Sequence, residues 1–320
     1  MSEHGNAEHA GTDRPAPDRE RREAKADTDA RRTGTERPAP PRRRVRRRNG
    51  PFVYLGAAAI LLWCLLPFYW MVVVALRDPG YTFDTTPWPS HLTLDNFRAA
   101  LSTQAGNDFL AAIRNSLVVS GATTLLAVLL GVTVSYALAR LRFRGKGLVT
   151  GLVLAASMFP GVALVTPLFQ LFAELRWIGG YQALVVPNIS FALPLTIYTL
   201  TSFLQDLPWE LEEAARMDGA TRLQAFTKVI LPLAAPAVFT TAILAFIASW
   251  NEYLLASQLS NGSTEPVTVA IARFAGDNPY VQPYATIMAA GTIVTVPLVI
   301  MVLIFQRRIV SGLTAGGVKS

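Results

Sequence analysis

Charged side chains are absent from long stretches of this chain, and the gaps between them set its elements. Arg48 to Arg77 encloses 28 uncharged residues, Arg114 to Arg140 encloses 25, and Lys146 to Glu174 encloses 27. Arg176 to Asp206 and Asp277 to Arg307 each enclose 29. Lys228 to Glu252 encloses 23, with apolar character continuing to about Leu259. Each gap exceeds the ~20 residues that a helix needs to cross the hydrocarbon of a bilayer. The pattern predicts six helices, at 52–76, 115–138, 148–172, 181–204, 234–258 and 284–305. Helices of soluble proteins keep a polar face, and these largely lack one. The expected class is an all-α membrane protein with six transmembrane helices.

Composition agrees with that pattern. Only 16% of the 320 residues are charged and 51% are hydrophobic, whereas soluble domains carry about 25% charged residues. The single Cys64 excludes a disulfide scaffold and any Cys-based metal site. Three histidines, His4, His9 and His91, leave no Cys/His cluster, so no metal site and no catalytic residue is expected.

The net charge of +7 is unevenly spread. Residues 1–50 hold 14 of the 29 Lys and Arg and 9 of the 22 Asp and Glu. Almost no large apolar side chains accompany them, so this segment cannot bury enough surface to offset its ordering entropy. A disordered, basic cytoplasmic tail is expected at 1–50, followed by a membrane domain at 51–320. Arg42–Arg44 and Arg46–Arg48 abut the first span, where anionic lipid headgroups suit them better than nucleic acid. The apolar run after them spans fully and lies too far from the start for a secretory signal, and Trp63 before Cys64 argues against lipoprotein processing. An uncleaved anchor is expected. With the N-terminus inside, 24 Lys and Arg fall on inner segments and five, Arg77, Arg98, Arg114, Arg176 and Arg273, on outer ones. The positive-inside rule therefore puts both termini in the cytoplasm.

The inner connection between spans four and five, 205–233, carries the most local information. Pro208 suits a first helical turn, and Glu210, Glu212 and Glu213 favour a helix N-terminus. Gly219 suits a left-handed stop, and Thr221 with Gln224 forms a capping box for a second helix that Pro232 limits before span five. Leu211, Ala214, Ala215 and Met217–Asp218 put small and apolar side chains on a short helix outside the bilayer. Two readings stand on physics alone: docking to a partner's groove, or packing on the chain's own bundle.

Glu213-Ala-Ala, then Gly219, then Val229-Ile-Leu-Pro232 resembles the EAA loop of ABC-importer permeases, the binding-protein-dependent inner-membrane components. The family pattern has Ile where Val229 stands. Supporting stretches are Leu92-Thr-Leu-Asp-Asn96-Phe, Asn115-Ser116-Leu, Tyr136-Ala-Leu-Ala-Arg140, Trp250-Asn-Glu252-Tyr and Gln306 to Lys319. The resemblance runs from about residue 52 onward and is greatest to the sugar branch, in particular to the six-span subunit of maltose-type pairs. It implies a MetI-like permease fold and a permease that is not itself an enzyme. The implied partners are a second permease subunit, two cytoplasmic ATP-binding-cassette ATPases and an extracellular solute-binding protein. ATP and Mg would sit on the ATPases, since Gly145-Lys146-Gly147 does not complete a phosphate loop in this chain. No cofactor and no nucleic acid is expected on this chain, which would lie in a bacterial cell membrane.

The resemblance assigns ATPase coupling to Glu213, Ala214, Ala215, Asp218, Gly219, Leu231 and Pro232. It assigns a secondary ATPase contact to Gly316, Gly317, Val318 and Lys319. Asn188, Asn251 and Glu252 are candidate pathway residues. Glu252 reads as the one carboxylate within a span, either lining the path or making an interhelix bond. Pro160, Pro167, Pro187 and Pro194 interrupt spans three and four, with Asn188 and Ser190 beside the breaks, which makes these spans a candidate pathway wall or simply kinked packing helices. Polyols and glycerol phosphates are alternative cargoes of the same branch. An ion-coupled secondary transporter should show two repeated halves, and no second copy of the coupling segment is present.

Overall fold

The computed structural model describes residues 51–102, 108–274 and 282–315, with side chains placed from 52 to 305 within that set. The tail expected at 1–50 and the contact expected at Gly316–Lys319 lie outside the described residues. The chain divides after Ala58 into two units. Of the first, residues 51–58 are described and are helical.

The helices are α1 (Pro51–Ala75), α2 (Asp95–Leu101), α3 (Phe109–Arg140), α4 (Lys146–Ser157), α5 (Gly161–Glu174) and α6 (Tyr181–Asp206). They continue with α7 (Glu210–Met217), α8 (Arg222–Ala225), α9 (Leu231–Trp250), α10 (Ala256–Leu259), α11 (Val267–Ala272) and α12 (Tyr284–Ala315). Among the described residues there is no strand, only an isolated bridge between Arg77 and Leu92. Five helical stretches are long and apolar enough to cross a membrane: Phe52–Ala75, Phe109–Arg140, Tyr181–Asp206, Arg222–Trp250 and Tyr284–Phe305. The sixth is a pair, α4 and α5, bent by 92°.

That bend corrects the continuous third span expected at 148–172. Proline disfavours helical backbone in the residue before it and supplies no N–H. Pro160 accordingly stands as the extended N-cap of α5, and α4 stops at Ser157. Pro167, Pro187 and Pro194 do not break their helices. Around the last two, polar side chains bond backward to carbonyls one turn earlier in α6. Asn188 Nδ2 donates to the Leu184 carbonyl at 2.9 Å, Ser190 Oγ to Val186 at 3.2 Å and Thr196 Oγ1 to Ala192 at 2.8 Å.

The fifth span is also rearranged. Its α-helix ends at Trp250 rather than near 258, so Glu252 lies beyond it and not within a span. The Glu252 carboxylate turns forward and accepts from the Leu255 N–H at 2.8 Å and the Ala256 N–H at 2.9 Å, satisfying donors at the start of α10. Pro232 does not separate the second loop helix from this span. A π-helical turn at Phe226–Ile230 joins α8 to α9, with Leu231 N–H bonded five residues back to Phe226. Pro232, which supplies no N–H, follows directly in the first turn of α9.

The centre of the bundle is α3 against α6, with α9 across both and α12 against α9. Without a hydrophobic force between helices in lipid, close approach relies on small residues and interhelical hydrogen bonds. Gly131 of α3 provides the approach: a Cβ there would stand 2.5 Å from Thr196 Cγ2. One turn on, buried Ser135 donates to the Ile197 carbonyl at 3.0 Å.

At the bundle end opposite α7, buried polar side chains satisfy helix termini and loops. Asn96 Nδ2 donates to the carbonyls of Ala75, at 2.9 Å, and Arg77, at 2.6 Å, closing the end of α1. The buried Arg77 guanidinium donates to the carbonyls of Asp84 and Thr86 and lies 5.0 Å from the Trp70 ring centroid. Asn115 Nδ2 donates to Ser263 and Glu265 carbonyls, both at 3.1 Å, and Ser116 Oγ accepts from Val267 N–H at 2.9 Å. The Asn96 and Asn115–Ser116 stretches noted in the sequence are therefore structural ties across this end.

Candidate coupling segment

The segment between α6 and α9 projects from one end of the bundle. Three acidic residues open α7, Glu210, Glu212 and Glu213, where the helix dipole favours them. The helix begins at Glu210 with Trp209 as its N-cap, so Pro208 stands just before it rather than in its first turn. Its end is a complete left-handed stop: Gly219 has φ +89°, its N–H bonds Arg216 O at 3.1 Å, and Ala220 N–H bonds Ala215 O at 3.0 Å. The capping box follows as expected, Gln224 N–H to Thr221 Oγ1 at 3.3 Å and Thr221 N–H to Gln224 Oε1 at 2.9 Å.

Of the residues expected to meet an ATPase, Glu213, Ala214, Asp218, Gly219 and Pro232 are exposed, while Ala215 and Leu231 are half-buried. Glu213 already accepts from Trp209 Nε1 at 2.8 Å, one helical turn back. On either side of Gly219, Met217 is 88% and Leu223 70% exposed, large apolar side chains that water does not favour. Nothing lies within 4 Å of where a Cβ on Gly219 would sit. The segment thus presents an open glycine joint flanked by two apolar side chains.

What holds this segment was not apparent from its own sequence. Glu212 faces inward, 6% exposed, and its Oε1 accepts from Tyr136 OH of α3 at 2.8 Å. One turn along α3, the buried Arg140 donates from Nη2 to the Leu207 carbonyl at 3.0 Å, and its guanidinium lies 5.1 Å from the Trp209 ring centroid. Behind them Leu204, Ile230 and Ala234 form a buried cluster joined by Tyr136, Phe203 and Phe226. Glu212 Oε2 and Arg140 Nε have no hydrogen-bond partner within the described residues. The segment is therefore fastened to three apolar helices, α3, α6 and α9. The one signal available beforehand was Tyr136 and Arg140 spaced i, i+4 at the end of a span, facing an acidic helix.

The three pathway candidates separate. Asn188, 6% exposed, and the half-buried Glu252 share the wall of one cavity at the α4–α5 bend. Asn251 does not line it; exposed, it donates back to the Ile247 carbonyl at 2.8 Å. Among the described residues no three His, Cys, Asp or Glu are grouped to hold a metal.

Residues 127–314 match the family described as binding-protein-dependent transport system inner membrane component. The chain is 45% identical over 258 residues to the trehalose transport system permease protein SugB of Mycobacterium tuberculosis, covering 80% of this chain and 93% of that one. It is 42% identical over 268 residues to the trehalose/maltose transport system permease protein MalG of Thermococcus litoralis, covering 83% and 95%. Its fold resembles a chain in the crystal structure of a bacterial ABC transporter that imports the acidic polysaccharide alginate. The TM-score is 0.68 at 20% identity, over 80% of this chain and 95% of that one.

Proposed function

The chain belongs to the family of binding-protein-dependent transport system inner membrane components, and we propose that it is the permease subunit through which a carbohydrate, delivered by an extracellular solute-binding protein, crosses the membrane. Its near full-length likeness to permeases for trehalose and maltose is the observation that carries this reading. The coupling segment supplies the mechanical part. A short helix fixed to α3, α6 and α9, with an open joint at Gly219, is suited to receive motion from a partner and pass it into spans.

In this reading the motion comes from two cytoplasmic ATPases that bind ATP and Mg, and a second permease subunit completes the path through the lipid. Glu213, Ala214, Ala215, Asp218 and Gly219 seat in the ATPase, Leu231 and Pro232 pass its displacement into α9, and Gly316–Lys319 makes a second contact. The tail at 1–50 is a separate basic cytoplasmic segment ahead of the permease domain.

Two measurements test these statements. Membranes holding the complete importer should take up radiolabelled trehalose or maltose only with its binding protein and ATPase present. The purified chain alone should hydrolyse no ATP, and turnover by a contaminant-free preparation would reject the division of labour. Cysteine-accessibility labelling in a Cys64→Ser background tests orientation: sites in 84–102 should react from outside, and sites in 142–146 and 210–228 should be protected. The reverse pattern would invert the topology and put the coupling segment on the wrong side for an ATPase.

A further inference from the structure

A cavity of about 260 Å³ opens at the α4–α5 bend, between α6 and the end of α9. Gly161, Asn188, Phe191, Ser249, Glu252 and Leu254 are among its lining residues. Asn188 lies seven residues into α6, about 10 Å along the helix from its start at ~1.5 Å per residue. Gly161, directly after the break at 158–160, stands on the cavity wall.

The chemistry of the wall is specific. Gly161 opens the fourteen-residue α5 at the cavity; the Ala163 N–H bonds the Pro160 carbonyl at 3.0 Å, while the N–H groups before it have no carbonyl four residues back within the helix. Ser249 is 7% exposed and its Oγ has no hydrogen-bond partner among the described residues. An unpaired hydroxyl buried in a cavity wall is costly unless something occupies the cavity part of the time. Asn188 spends its Nδ2 on Leu184 and keeps Oδ1 as an acceptor. Phe191 offers an aromatic face, 39% exposed. Glu252 adds a carboxylate, and no Lys or Arg lines the cavity.

Donors, acceptors and one ring face together match a sugar, whose hydroxyls both donate and accept and whose C–H face packs on aromatics. A carboxylate without a neighbouring cation disfavours an anion. Resting on the reading of the chain as a carbohydrate permease, we propose that this cavity is a saccharide subsite within the permease, selective for neutral over acidic sugars.

The test uses the complete importer carrying Cys64→Ser and Leu254→Cys, which places a thiol on the cavity wall at a position 39% exposed. The rate at which a methanethiosulfonate reagent modifies that thiol is followed with trehalose, maltose or a glucuronate-containing disaccharide. Neutral sugars should slow modification about fivefold or more at concentrations above their Kd, and the acidic sugar should leave it essentially unchanged. Adding Ser249→Ala, which removes one hydrogen-bond partner, should weaken the apparent affinity about fivefold. Absence of protection, equal protection by the acidic sugar, or protection indifferent to Ser249→Ala would each overturn the proposal. Uptake of the same sugars by the parent importer is measured alongside. Its absence counts against the importer reading, whereas uptake without protection removes only the subsite.

Discussion

Gly219→Val should leave the chain at its normal level in the membrane and strip it of its ATPase. The residue has φ +89°, a conformation that costs a residue with a β-carbon roughly 1 kcal/mol or more, and most for a β-branched one. Inside the chain there is room for the new side chain, since nothing lies within 4 Å of its Cβ position. Any steric cost is therefore felt by whatever seats on the joint, and overpacking a close contact costs about 1–3 kcal/mol. The backbone cost falls on the chain itself, bound or free, so the contact term of about 1–3 kcal/mol sets the loss in affinity, roughly 5-fold to over 100-fold. Gly145→Val is the matched control. Gly145 has φ +93° with equally open surroundings but lies in a different connection, before α4. It incurs the same backbone cost and should retain the ATPase.

Tyr136→Phe should uncouple rather than detach. The change deletes one hydroxyl and leaves the Glu212 carboxylate, 6% exposed, with neither oxygen bonded, because Oε2 already lacks a partner within the described residues. Stranding a buried charged acceptor costs about 1–3 kcal/mol or more, which loosens α7 from α3. The exposed face of α7 is unchanged, so the ATPase should still co-purify while sugar uptake falls several-fold. Glu212→Gln keeps an acceptor for Tyr136 and should be mild. Tyr136→Phe with Glu212→Leu removes both polar groups, and exchanging a buried polar pair for apolar side chains is often neutral. The double variant should regain thermal stability close to that of the parent. Normal uptake by Tyr136→Phe would show that the Tyr136–Glu212 bond takes no part in transmission.

The features legible in the sequence were those set by local chemistry. Charge gaps marked the spans because an uncompensated charge in lipid is costly wherever it falls. The left-handed Gly219 and the Thr221–Gln224 box were readable because caps are decided within four residues. The prolines were not separable in the same way. Pro160 breaks its helix and Pro187 and Pro194 do not. The difference follows burial: α6 lies within the bundle, whereas Met158 at the break is 85% exposed. Glu252 read as a charge in a span because hydropathy cannot register a carboxylate that turns forward to bond two N–H groups. The Tyr136–Glu212 bond joins residues 76 apart in sequence, and no local rule brings such a pair together.

We propose that an ATPase seats on the Gly219 joint in the segment between α6 and α9. Co-purification of the ATPase with variants at matched membrane levels tests it most directly. Gly219→Val and Glu213→Lys should each lose the ATPase, while Gly145→Val and Lys228→Ala recover it at the parental ratio. If Gly219→Val and Glu213→Lys both retain the ATPase at that ratio, this segment is not the coupling element.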